Sequence, residues 1–127
     1  MLKDNLKEDT FAEKDLARLG DAIVNLIASA ILTLYAGLPR GVKVSNKVLT
    51  RVYNNIFKGK APPNRDKATF IEYCFAYIWL KRDVSIDDMI KNAFHYIKEK
   101  MHAKPTEKEE YILVEALTHL LERYLGE

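Results

Sequence analysis

The chain has 127 residues, 48% of them apolar, which is enough for one compact domain with its own core and too hydrophobic for a disordered segment. Its 20 Lys plus Arg against 18 Asp plus Glu leave a net charge of +2, so a globally basic nucleic-acid binder is excluded and any basic surface must be local. A single cysteine, Cys74, excludes an intramolecular disulfide and a cysteine-based zinc site, and suits a reducing compartment.

Residues 1–9 are charged and lack the apolar centre of a signal peptide, so they read as a flexible N-terminal segment of a cytoplasmic protein. Thr10 with Glu13 forms a capping box, and Leu16, Leu19, Ile23, Leu26, Ile27, Ala30 and Leu34 keep helical spacing until Gly37 and Pro39 end it. The apolar stretch from Ile23 to Pro39 is broken by Asn25, Ser29 and Thr33, so it reads as a mostly buried helix and no membrane partner is expected. Ser45 caps a second helix carrying Val48, Leu49, Val52, Ile56 and Phe57, which ends near Gly59. The turn-rich segment KGKAPPNRDK follows, with Lys58, Lys60, Arg65 and Lys67. Asn64 can cap a third helix running to about Arg82. Ser85 with Asp88 opens a fourth, with Met89, Ala93 and Ile97 on its apolar face. Pro105, Thr106 and Glu109 announce a fifth, with Leu113, Leu117, Leu120 and Leu121 inward. No segment alternates with period two, so the fold class is all-α with five principal helices.

Two carboxylates stand in awkward places. On the first helix Lys14, Arg18, Asp21, Asn25 and Ser29 fall within about 80° of one another, a narrow polar stripe on an otherwise apolar cylinder. Asp21 follows Gly20, and a mid-helix glycine costs about 1 kcal/mol relative to alanine, which a close helix approach would explain. On the third helix Glu72 interrupts the apolar run ATFIEYCFAYIWL, and Thr69, Glu72 and Ala76 share a strip of small and polar residues. If the two strips face each other, the carboxylates repel, and a divalent cation such as Mg²⁺ would relieve them. Structural pairing is the alternative: Asp21 with Arg18, and Glu72 with a tyrosine hydroxyl or an arginine.

The stretch DLARLGDAIVNL resembles the signature helix of the ribonuclease III endonuclease domain, whose acidic metal ligand falls on Asp21. TFIEYCFAYIWL resembles the second signature, which places the catalytic glutamate at Glu72. Two of the family's four acidic positions are here Ala17 and Thr69. The Mini-III branch, a catalytic domain without a double-stranded RNA-binding domain, is similar in both respects, and the length of 127 residues agrees with it.

The resemblance implies a ribonuclease III-like helical bundle spanning residues 1–127. It also implies a homodimer in which two sites share one groove for double-stranded or structured RNA, such as a ribosomal RNA precursor. Asp21 and Glu72 would be catalytic and would hold Mg²⁺, with Mn²⁺ as a substitute, to activate water for in-line attack on a phosphodiester. Lys58, Lys60, Arg65 and Lys67 would contact backbone phosphates of A-form RNA, or else form a solvated loop. Tyr35, Leu38, Tyr53, Phe57, Tyr73 and Trp79 are interface candidates. Alternatives are a catalytically inactive ribonuclease III-like RNA-binding or protein-interaction module, and an unrelated helical interaction protein. His95, His102 and His119 lack metal-ligand spacing and read as helix surface, and Cys74 as core.

Overall fold

The computed structural model describes residues 3, 6, 11–58, 60, 66–101 and 108–126. Its helices are α1 (Glu13–Ala36), α2 (Asn46–Phe57), α3 (Lys67–Lys81), α4 (Ile86–Met101) and α5 (Glu109–Leu125). No strand occurs among the described residues, so the all-α reading with five helices holds.

Local chemistry sets most of the boundaries. The Ser45 hydroxyl accepts the Val48 N–H at the start of α2, and Ser85 accepts the Asp88 N–H at 3.0 Å at the start of α4, each satisfying a donor that the first turn would leave orphaned. Gly37 ends α1 in the left-handed region, φ 77°, with its N–H on Thr33 O, a conformation that a side chain would penalise. Two caps differ from expectation. Asp66, rather than Asn64, caps α3 by accepting the Thr69 N–H; both residue types can cap. α1 starts behind Ala12 with no side-chain cap. Thr10, Asn64, Gly59, Pro105 and Thr106 lie outside the described residues.

α1 packs most extensively on α3 and also touches α4, while α2 and α4 lean on α5. Ile23, Val24, Ile27, Ala28 and Ile31 of α1 meet Ile71, Phe75 and Ile78 of α3 in a core that also takes in Val52, Met89, Ile97, Leu117 and Leu121. Each such large apolar side chain contributes roughly 1.5–3 kcal/mol by leaving water. Cys74 is buried there, as expected.

α1 is less covered than its apolarity suggests. Leu19, Leu26 and Leu34 are exposed, the last two by more than half, at 54% and 52%, because α3 and α4 cover one side of a helix that is apolar nearly all round. By length and composition α1 would suffice to cross a membrane, yet its covered side forms the centre of the core. The expected interface residues are also redistributed. Tyr53 is core, and Tyr35, Phe57, Tyr73 and Trp79 pack half-buried against it. Of the six, only Leu38 is well exposed.

Candidate active site

Gly20 explains the position of the site. A Cβ built there would lie 1.7 Å from the backbone oxygen of Glu72 and 2.4 Å from its carbonyl carbon, so only glycine lets α1 and α3 approach this closely. The approach expected beside Asp21 is therefore real, and it brings the neighbouring carboxylate to that of Glu72. The two acids are within hydrogen-bonding reach, and burial first, then the Asp21 carboxyl, push Glu72 up to about 7, with Lys43 opposing. Like charges at this separation cannot both ionise without cost, so the pair holds a proton near neutrality in the absence of a cation.

Both acids line a cleft of about 550 Å³ whose wall also includes Ala17, Lys43, Thr69 and Tyr73. Neither acid is fully buried; no charged residue is, among those described. Thr69 stands where an acid would have extended the set. Its hydroxyl donates to the Asp66 carboxylate at 2.8 Å, and the Thr69 N–H first and this bond second hold the Asp66 carboxyl below its ordinary range. Asp66 is thus committed to capping and does not replace the missing acid. Asp15 does not line the cleft, whereas Glu13, Lys14 and Arg18 do.

The cation beside Asp21 is not Arg18. Lys43 Nζ is 3.6 Å from Asp21 Oδ1, and Asn25 Nδ2 donates to the same oxygen at 3.3 Å. Lys43 lies 22 residues beyond Asp21 in the α1–α2 connection, so no local spacing could have pointed to it. Glu13 also lines the cleft, but at eight residues before Asp21 it lies about 80° around the helix and outside the polar stripe, so spacing did not single it out.

Among the described residues no group of three or more His, Cys, Asp and Glu side chains converges as a ligand set. Two hard carboxylates, one held protonated by burial and by its carboxylate neighbour, fit a single Mg²⁺, which takes one or two carboxylates and fills its remaining positions with water and phosphate oxygens.

Of the basic residues assigned to RNA, Lys58, Lys60 and Lys67 do not line the cleft. Lys67 donates to Asn54 Oδ1 at 2.8 Å and lies 5.6 Å from the centre of the Tyr53 ring. Lys58 and Lys60 are exposed, and the Lys60 carbonyl accepts the Tyr53 hydroxyl. Arg65 lies outside the described residues. The segment enters α3 five residues before Glu72, roughly 7.5 Å along the axis. His119 stacks on Tyr96 at 4.1 Å, His95 is exposed and His102 is not described.

No curated protein matches the chain closely. A family model described as ribonuclease III matches residues 14–127, a span that takes in α1 from its first turn, the Gly20 contact, the cleft and all of the remaining helices. With nearly the whole chain matched, the protein belongs to the ribonuclease III family of RNA-cleaving nucleases.

Proposed function

We propose that the protein is a divalent-metal-dependent endoribonuclease that hydrolyses phosphodiester bonds in double-stranded or structured RNA, with Asp21 and Glu72 as its catalytic, metal-holding pair. The observation that carries this reading is the meeting of the two carboxylates across Gly20. Such proximity raises the energy of the bare site, and a pair retained for stability alone would be better replaced by neutral residues. The family generally uses a divalent metal, acts on double-stranded RNA and typically dimerises.

When bound there, Mg²⁺, or Mn²⁺ in its place, would polarise the scissile phosphate and the attacking water. The chain's own residues do the positioning. Gly20 fixes the separation of the two acids, and Asn25 orients the Asp21 carboxylate through its amide. Asp66 and Thr69 lock the first turn of α3, so that Glu72 projects from a rigid element. Lys58, Lys60, Arg65 and Lys67 would hold the RNA backbone beside the cleft by charge, as shape-based recognition of an A-form duplex requires.

A core that draws on all five helices supports reading residues 1–127 as one catalytic domain. The open leucine face of α1 supports a homodimer. Leu19 is two residues from Asp21, and an isologous seam along α1 would set two clefts side by side for the two strands of a duplex.

Purified protein incubated with long double-stranded RNA and Mg²⁺ tests the reading. Wild type is expected to cut, with D21N and E72Q slower by at least about 10²-fold. Undiminished cleavage by both variants would remove the site assignment. No cleavage by wild type would favour the second reading, a non-cutting RNA-binding member of the family, which the neutral Ala17 and Thr69 in the cleft wall favour.

A further inference from the structure

The polar stripe on α1 has a use that its spacing did not disclose. It holds the α1–α2 connection, residues 37–45, by a ladder of side chain to backbone bonds. Thr33 Oγ1 accepts the Arg40 N–H at 2.9 Å, Ser29 Oγ accepts the Val42 N–H at 2.9 Å, and Asn25 Oδ1 accepts the Val44 N–H at 2.8 Å. Lys43 lies between the last two anchored amides and carries its ammonium to the cleft, 3.6 Å from Asp21. Its side chain is 77% exposed, and an ion pair so exposed adds little to stability. The bonds seat Val44 in the core, but stability is a poor explanation for the lysine they fix over the site.

Charge accounting gives a better one. Two carboxylates suffice for one divalent ion, while in-line hydrolysis of a phosphodiester builds negative charge on both non-bridging oxygens and on the departing 3′ oxygen. We propose that Lys43 is a catalytic residue whose ammonium binds a non-bridging oxygen of the scissile phosphate; this rests on the endoribonuclease reading of the same cleft. In the reaction the water oxygen bonds to phosphorus and the bond from phosphorus to the 3′ oxygen breaks. The water's proton passes to solvent, and the 3′ oxygen takes one from solvent. Lys43 neither gains nor loses a proton. It is paired with Asp21 in the free protein, and with a cation held at Asp21 the ammonium would be free to bind the phosphate.

The two roles make opposite demands, which a merely structural lysine would not show. Removing a cation that competes for Asp21 strengthens metal binding, and removing a phosphate ligand slows cleavage. Calorimetry with Mg²⁺ alone is expected to show K43A binding about threefold tighter than wild type. Single-turnover cleavage of long double-stranded RNA at saturating Mg²⁺ is expected to fall about 10²-fold in K43A, with K43R, which keeps the charge, recovering most of the rate. Because Lys43 is exposed, thermal midpoints should match wild type. Wild-type cleavage rates in K43A alongside an inactive D21N overturn this assignment and leave the nuclease reading standing. No cleavage by wild type overturns both. Mg²⁺ binding that weakens in K43A overturns the competition between Lys43 and a cation at Asp21.

Discussion

The two sides of α1 have similar apolar content and opposite fates. One side, with Ile23, Val24, Ile27 and Ile31, is sealed against the other helices, and its glycine lets α3 approach to backbone contact. The other presents Leu19, Leu26 and Leu34 to solvent, with Leu38 exposed just beyond the helix end. The sealed side derives its stability from packing within the chain. The open side has no such covering, and an exposed apolar face of this length is what an association surface requires. Along the seam between them runs the polar stripe, with Asp21 at the cleft.

Breaking the sealed side should have the largest effect. G20A places a methyl group inside the Glu72 carbonyl, and forcing the helices apart should cost about 3 kcal/mol, well beyond the roughly 1 kcal/mol that alanine gains in helix propensity. Denaturant unfolding measures the loss directly; a G20A protein as stable as wild type would show that the close approach is dispensable.

The seam should respond to pH. Between about 4.5 and about 7 the native state keeps a proton on Glu72 that the unfolded chain releases. Stability without metal should therefore fall as pH rises through that window and level off above it. His119 contributes the opposite slope, since burial first and Arg123 second lower its proton affinity, and the native state resists protonation as pH falls below the ordinary histidine range. The difference between wild type and E72Q isolates the glutamate: E72Q should lack the decline. Mg²⁺ should stabilise wild type more at pH 8 than at pH 5, because at low pH it must displace the proton. An unchanged profile in E72Q would separate the two carboxylates.

The open side should give the smallest change in folding and a clear change in association. L26D, at a residue 54% exposed, should alter the stability of the isolated chain by no more than about 0.5 kcal/mol while shifting sedimentation at micromolar concentration from dimer to monomer. A strictly monomeric wild type would sink the shared groove.

Much of the fold was legible because its signals are local. Ser45, Ser85 and Gly37 mark helix ends through bonds made within one turn. Asp66 replaced Asn64 as a cap because both residue types can accept a first-turn N–H, so residue type alone does not choose between them. The interface candidates divided between core and surface for a different reason. An aromatic such as Tyr53 looks the same in sequence whether it ends in the core, as it does, or on the surface. Only neighbouring helices decide how much of an all-round apolar helix stays open.

By itself the sequence determined the helices, the glycine beside Asp21 and the lone Glu72 in an apolar run, and its two signature stretches pointed to the family, because residue type and spacing carry these features. Only the tertiary structure decided that Asp21 and Glu72 come together across Gly20, that Lys43 is the cation beside Asp21, and that leucines of α1 face outward. Each of those depends on contacts between segments distant in the chain, where the packing of one helix on another, and not the periodicity of either, sets distance, burial and charge.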